Sequence, residues 1–467
     1  MLHLYTERAF SPTECLLDFI QSEPRLTWTS LLLSEFPNCD VSLAGGTVRD
    51  ILIGRLPRDL DLIVHGLDEK KLERWLLSHG AVSAGENTFA HFRFVPHGQA
   101  LSEPIEIALA SLTMGRQTDA EFAPCDFTVN SMSFRLRAQT FRDPMSGLTD
   151  LHNKILRTNG EAIDCYSTDP LRALRTIRLA CQLQFAIEQQ TWNALCQIIP
   201  VFSRTTIAEN GDYIYAVPRK LIGREFLLGL LAHPTHTLHL WKASGALALL
   251  FPELDDLAEI IERDGQSAWQ KTIRGLHLLH NREILEAHEL STPTVNVVLA
   301  NVFAFSDTSA KLARAYGVKY QLNQRLEGQK SINGKTVISL LERLNFFTQT
   351  DPASMRPSQF EKMFCCAGGQ ELLLAMHVHE LALGEHRVER ERLAVAMRMA
   401  SHLCQRAIAH GGKIPRLVSG RDIRATGLAD GPHYREILNQ VRDAQLNGEI
   451  TDKSGAVEVI RMCIHQL

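Results

Sequence analysis

A chain of 467 residues with 45% hydrophobic and 22% charged side chains is too long for one hydrophobic core, and its ordinary composition excludes a disordered or fibrous protein. Its length suggests about two to four domains, and a formal net charge of −4 excludes an overall field that attracts nucleic acid, leaving that task to local arginine patches. Ten cysteines without a CxxC pair suit neither a zinc site nor a disulfide framework; an N-terminus without a secretory pattern and the lack of any membrane-length apolar run make a cytoplasmic location the expectation.

In chain order, residues 1–38 read as a helical lead-in, with apolar Leu16, Leu17, Phe19 and Ile20, then Leu31, Leu32 and Leu33, broken by Pro24 and Pro37. Residues 39–150 change texture. Short β-type runs (VSLAGG, LDLIV, FAHFRFV, PIEIALA, TVNSMSFRL) alternate with helical pieces such as EKKLERWLLSHG, which predicts a mixed α/β domain. After the turn DPMSGLTD the pattern becomes helical and stays so, first over 151–232 and then over 233–467. The fold class expected is therefore α+β: an N-terminal mixed α/β head followed by all-α segments. Within LRALRTIRLACQLQF, Leu171, Leu174, Ile177 and Leu179 recur at near-helical spacing, while Arg172, Arg175 and Arg178 fall every three residues on a neighbouring arc. A solvated or salt-bridged helix edge explains those arginines equally well, and Asp169 with Pro170 equally suits a plain helix start.

The stretch LAGGTVRDILIGRLPRDLDLIV, residues 43–64, reads as strand, glycine turn, helix, loop, strand. Gly45 and Gly46 let backbone approach a phosphate, and the helix N-terminus behind them offers free N–H groups and partial positive charge. Arg49 falls one turn into that helix, within reach of a triphosphate. Asp59 and Asp61 alternate with Leu60 and Leu62, so both carboxylates project from one strand face. Paired carboxylate oxygens suit Mg²⁺, and phosphoryl transfer commonly uses two such ions about 4 Å apart. Glu106, between Ile105 and Ile107, is a candidate third acid, although one Glu at a strand end is often merely solvated.

Taken together, Gly45-Gly46-Thr47-Val48-Arg49-Asp50 followed by Asp59-Leu60-Asp61 resembles the head domain of the class II tRNA nucleotidyltransferase (CCA-adding enzyme) and bacterial poly(A) polymerase family, in the polymerase β-like superfamily. Asp126-Phe127-Thr128-Val129-Asn130-Ser131 resembles that family's RDFTxNA motif. Asp143-Pro144, Gly147-Leu148 and Asp150-Leu151 resemble its DPxxGxxDL turn, and Asp169-Pro170-Leu171-Arg172 with Arg175 its EDPLRxLR helix. The resemblance implies a catalytic head at 39–150, a base-recognising neck at 151–232 and an RNA-binding body and tail at 233–467. It implies catalysis and metal binding by Asp59 and Asp61 with two Mg²⁺ ions, nucleotide binding that includes Arg178, ribose contact by Asp126 and support from Asn130. The implied partners are the tRNA 3′ end, CTP and ATP, with neither DNA nor a membrane.

The same resemblance gives Asp169 and Arg172 the task of an amino-acid template. A carboxylate accepts from the exocyclic amine of cytosine or adenine while a guanidinium donates to the adjacent ring nitrogen; uracil and guanine present the opposite pattern. At about 1–3 kcal/mol per mismatched contact, each gives roughly tenfold to over a hundredfold discrimination. Pro124-Cys125 stands where the family usually has Arg-Arg, and Thr168 where it often has Glu. Late segments, Ser419-Gly420-Arg421-Asp422 through Leu446-Asn447-Gly448-Glu449, resemble the tRNA-elbow region of bacterial CCA-type enzymes. His277, His280 and His288 occur without a His-Asp dyad, so no phosphohydrolase activity is expected. A poly(A) polymerase acting on other RNA and a catalytically inactive RNA-binding protein on the same scaffold are the alternatives to CCA-end synthesis.

Overall fold

Two short helices open the chain, α1 (Pro12–Ser22) and α2 (Thr27–Glu35). The Ser11 side chain caps the first by accepting the Glu14 N–H at 3.4 Å, and Pro24 separates the two. The computed structural model describes residues 11–57, 59–84, 91–99, 103–110, 126–207, 213–259, 261, 265–323, 333–366, 368–383, 388–410 and 414–465. The chain divides into two units, Met1–Arg204 and Thr205–Leu467.

The first unit is built on a seven-stranded sheet. Its strands are β1 (Asp40–Ala44), β2 (Leu60–His65), β3 (Gly80–Ala84), β4 (Phe92–Pro96), β5 (Ile105–Leu109), β6 (Ser133–Arg135) and β7 (Thr140–Arg142), in the order β3-β4-β5-β2-β1-β6-β7. Helix α3 (Gly45–Leu52) joins β1 to β2, and α4 (Glu69–His79), capped by Asp68, follows β2. The β2–β5 pairing is parallel and the others antiparallel. The alternation expected from the sequence decides which face is buried. Leu60, Leu62, Val64, Ile105, Ile107 and Phe94 are at most 1% exposed. Trp28 lies across the ring edge of Phe94 at 5.2 Å and 5.9 Å from Trp75, which seals this face with α2 and α4. At about 1.5–3 kcal/mol for each fully buried large apolar side chain, that face fixes the register of the sheet. The residues between them, Asp61 and Glu106 among these, are thereby placed on the opposite face.

Helix α5 (Gly147–Asn153) follows the sheet, and its start explains the DPMSGLTD turn. Asp143 accepts the N–H groups of Gly147 and Leu148 at 2.6 and 2.9 Å. Position 147 must be glycine, since a Cβ there would sit 2.2 Å from the Thr128 carbonyl oxygen. Next come α6 (Ala162–Thr168), α7 (Leu171–Leu183) and α8 (Gln189–Ile198). The expectation of an all-α chain beyond residue 150 needs a small amendment. A two-residue parallel ladder pairs β8 (Ile155–Leu156) with β9 (Ala186–Ile187), and an antiparallel hairpin, β10 (Thr205–Ile207) with β11 (Tyr213–Tyr215), opens the second unit. Strands this short leave no readable period in sequence.

The second unit is otherwise helical from Arg219–Ala232 to Lys453–His465. An aromatic cluster of Phe226, Trp241, Phe251, Tyr316 and Tyr320 centres its first part, Phe226 and Phe251 stacking at 4.6 Å. The C-terminal helices 420–465 carry their own core of Ile423, Ile437, Val441, Ala456 and Ile460. Ser419 and Asp422 form a capping box there, and Lys453 pairs with Asp422 at 2.7 Å. Among the described residues no helix is long and apolar enough to cross a membrane.

Candidate active site

The glycine turn brings α3 against the start of β2. Gly45 adopts φ +65°, a left-handed conformation that glycine accepts without strain. A Cβ on it would lie 3.5 Å from Asp61 Oδ2, so the turn runs alongside the carboxylate. Gly46 leaves similar room for the Arg49 guanidinium, 3.4 Å from where its Cβ would be. Thr47, which the sequence reading left without a role, ties helix to strand: its hydroxyl accepts the Asp61 N–H at 2.8 Å and donates to the Asp59 carbonyl at 3.2 Å. The backbone on which both acids ride is held from the side.

Asp59 lies exposed one residue before β2, and Asp61 is its second residue. Glu106 is the register partner of Asp61 across the parallel β2–β5 pair, and Arg93 is the antiparallel partner of Glu106 on β4. Burial pushes the Asp61 carboxyl up, Glu106 and Asp59 push it further, Arg49 opposes them, and the result is about 7. At Asp61 the charge of Arg49 only partly offsets burial and the two neighbouring acids. Among the described residues no three His, Cys, Asp or Glu side chains converge tightly enough to hold a metal ion unaided. Glu106 thus stands one strand over from the aspartates.

Arg49 lies one turn into α3, as expected, but it is 8% exposed and engaged on both sides. Its Nε donates to Asp50 Oδ1 at 2.8 Å and its Nη1 to Asn130 Oδ1 at 2.6 Å. Asn130 Nδ2 in turn donates to Asp126 Oδ1 at 3.0 Å, and Arg175 Nη1 to Asp126 Oδ2 at 2.9 Å. A continuous relay, Asp50–Arg49–Asn130–Asp126–Arg175, therefore runs from α3 to α7. Burial alone would raise the Asp126 carboxyl, but the charge and hydrogen bond of Arg175, the Asn130 amide and the charge of Arg172 together hold it below the usual carboxylate range. Backbone bonding fixes its place: Phe127 bridges Thr158, and Asn159 N–H donates to the Asp126 carbonyl at 3.2 Å.

On α7 the apolar arc is buried as expected, with Leu174 and Ile177 fully covered. Asp169 caps the helix by accepting the Leu171 N–H at 3.1 Å. Its Oδ2 lies 3.8 Å from Arg172 Nε, so the two residues expected to read a base are side by side. Arg172 Nη1 also donates to Cys165 Sγ at 3.5 Å. Arg178 donates to Gln182 Oε1 at 2.9 Å, and the Gln182 carbonyl accepts from Arg55 at 2.9 Å, which anchors the loop after α3 to the end of α7. Thr168 turns back on its own helix and donates to the Asp164 carbonyl at 2.9 Å. Arg55 and Cys165 escaped the sequence reading because their partners are 127 and 7 residues away and fit no local pattern. The Pro124-Cys125 departure lies outside the described residues.

A cavity of about 230 Å³ opens behind Asp126, lined by Thr128, Arg157, Thr158, Asn159, Glu188 and Thr191 among others. Arg157 there is paired with Asp150 at 3.0 Å, and Asp150 also accepts from the Thr128 hydroxyl at 2.7 Å. This side of the unit buttresses the turn that carries Asp126.

Residues 41–157 match the Poly A polymerase head domain. The chain is 30% identical over 173 residues to the CCA-adding enzyme of Streptococcus mutans, covering 35% of this chain and 42% of that protein. It is 30% identical over 222 residues to the multifunctional CCA protein of Nitrosomonas europaea, covering 46% of this chain and 50% of that one. The matched segments thus span half or less of these relatives. In fold the chain is similar to the Thermotoga maritima CCA-adding enzyme solved in complex with tRNA, with a TM-score of 0.64 and 17% identity over 97% of this chain and 99% of that one.

Proposed function

We propose that this chain, whose residues 41–157 match the poly A polymerase head domain, is a template-independent nucleotidyltransferase that adds C and/or A from CTP and ATP to the 3′ end of tRNA. The observation that carries the reading is the arrangement of two unlike sites on one frame. An acid row at Asp59, Asp61 and Glu106, in which the Asp61 carboxyl is pushed up to about 7, is joined through α3 and the Asp126 relay to the adjacent Asp169 and Arg172. Similarity to CCA-adding enzymes in sequence and fold points the same way.

The acid row fits divalent cations, because Glu106 and Asp59 raise the proton affinity of Asp61 and a cation would relieve that repulsion. Asp59 and Asp61 would hold two Mg²⁺ ions, with Glu106 beside them; when bound, such ions stabilise the attacking and leaving oxygens of phosphoryl transfer. The remaining work belongs to the chain's own side chains. The Gly45-Gly46 turn gives triphosphate oxygens close approach to backbone. Asp126, kept ionised by Arg175, accepts from ribose hydroxyls, and Asn130 keeps it in place. Asp169 accepts the exocyclic amine and Arg172 donates to the neighbouring ring nitrogen, which admits C and A and rejects U and G. Arg178 extends the cationic edge of α7, and the second unit carries the body of the RNA. A cytoplasmic location belongs to the same proposal.

Incubation with labelled CTP and ATP, separately and together, on tRNA lacking its CCA end and on generic RNA tests this, with product ends sequenced. C and A additions confined to tRNA are the expected result. Rejection of CTP with long A tails on any RNA would show a poly(A) polymerase instead. Equal, background incorporation by wild type and by the Asp59→Asn/Asp61→Asn variant, with tRNA binding retained, would show an inactive RNA-binding scaffold.

A further inference from the structure

Reading a base with Asp169 and Arg172 requires that the guanidinium hold one plane, because a hydrogen bond weakens steeply as its angle closes toward about 120°. Arg172 is a long side chain with about 2 kcal/mol of rotamer freedom to restrain. Its contacts with one residue of α6 supply a restraint. Arg172 Nη1 donates to Cys165 Sγ at 3.5 Å. The Cys165 Sγ–H points to the Asp126 carbonyl oxygen at 3.9 Å, and the Cys165 carbonyl accepts the Asp169 N–H at 3.4 Å. One 9% exposed residue therefore meets both base-reading residues and the backbone of the proposed ribose-binding acid. Burial pushes its thiol up, so the sulfur keeps its proton and can donate and accept at once. Thr168, nearer to Arg172 in sequence, directs its hydroxyl into its own helix. Tyr166, the neighbour of Cys165, locks the other side: its hydroxyl bonds Thr176 at 2.7 Å, and Thr176 donates to the Arg172 carbonyl at 2.8 Å.

We propose that Cys165 is a positioning residue for base selection, holding the Arg172 guanidinium in plane beside Asp169 and so setting the margin by which cytosine and adenine are preferred over uracil and guanine. This rests on the transferase reading above. Cys165 touches no substrate in this scheme; it acts through Arg172.

The test is kcat/KM for CTP, UTP, ATP and GTP with wild type, Cys165→Ala and Cys165→Ser, with thermal melts in parallel. The alanine variant is expected to lose about tenfold in the CTP-over-UTP ratio, the value of one misaligned polar contact. The serine variant, which still donates and accepts, is expected to restore it. A merely structural role would lower all four values together and leave the ratio untouched, and that result overturns the proposal, as does failure of serine to restore the ratio. Should alanine melt well below wild type, Cys165→Val fills the space without hydrogen bonding and is read the same way. If wild type incorporates neither CTP nor ATP, the transferase reading has failed. Equilibrium binding of CTP against UTP to the same variants then decides for Cys165, an unchanged ratio overturning it.

Discussion

Asp61 and Asp126 are the same side chain in the same unit, the first half-buried and the second buried, yet their carboxyls move in opposite directions. Burial pushes each upward. Around Asp61 the strongest charged neighbours are Glu106 and Asp59, which add to that push, and the opposing Arg49 is also bonded to Asp50 and Asn130. Around Asp126, Arg175 and Asn130 donate at 2.9 and 3.0 Å and Arg172 adds its charge. Asp126 carries its counter-charge beside it, whereas the charges around Asp61 are mainly of its own sign. On the proposed function, the difference separates a scaffold that orients a nucleotide from a site that runs chemistry on it.

The comparison breaks most visibly at Asp61. Asp61→Asn should lower nucleotide incorporation at least about a thousandfold, since several kcal/mol of transition-state stabilisation leave with the ion. The same variant should melt higher than wild type in chelator at about pH 8, because an amide has no charge to bury. Loss of activity together with loss of metal-free stability would mean that the carboxylate is already compensated. Arg175→Ala should do the reverse. Removing the internal counter-charge leaves Asp126 buried and unpaired, at a cost of about 3 kcal/mol, the low end for a broken buried pair because Arg175 is one-third exposed. In Asp126→Asn/Arg175→Ala the two losses should be less than additive in denaturant unfolding. Additive losses would show that the pair is not coupled.

The two regions were unequally legible in sequence. The alternation of Leu60, Asp61, Leu62 fixed both the strand and the face of the acid, and the 3-residue recurrence of arginines placed α7, because each signal lies within one element. The relay was not legible as bonds. Asn130 reaches Arg49 across 81 residues, and Thr47 reaches the Asp61 N–H across 14. Arg49 was expected to turn toward a triphosphate, and its chain position could not reveal the Asn130 carbonyl beside it. The edge strand β3 escaped because only Gly80 of its five residues is buried; pairing with β4 holds it rather than an apolar face. The DPMSGLTD turn was recognisable, but its cause, close approach of Gly147 to the Thr128 carbonyl, is tertiary. Gly147→Ala should therefore cost about 1–3 kcal/mol by overpacking and displace the 128–130 turn that ends at Asn130. A neutral result in the same unfolding assay would mean that this turn can shift without strain.

The smallest expected effect is also the one that sets the two acids side by side in one measurement. The Asp61 value of about 7 lies above the unfolded carboxylate value near 4, so the metal-free folded state binds the extra proton. Its contribution to stability is fully present below the unfolded value and is lost as pH rises through about 7. Asp126 has the opposite sign: its value is depressed, so its contribution is present above the unfolded value and disappears only as pH falls through the folded one. His65, lowered to about 4, and His236 and His288, lowered chiefly by burial, are neutral when folded but take up protons when unfolded near pH 6.5, so they add an opposing slope that fades above about pH 7.5. The buried thiols, raised above their usual value, ionise higher still. Between about pH 6.5 and 8, then, the melting temperature of wild type in chelator should fall with rising pH relative to that of Asp61→Asn, which keeps the histidine contribution and lacks that of Asp61. Saturating Mg²⁺ should remove that relative fall by replacing the proton. Asp126→Asn should leave the slope in place. A difference between wild type and Asp61→Asn that does not change with pH would show that the Asp61 carboxylate is already compensated.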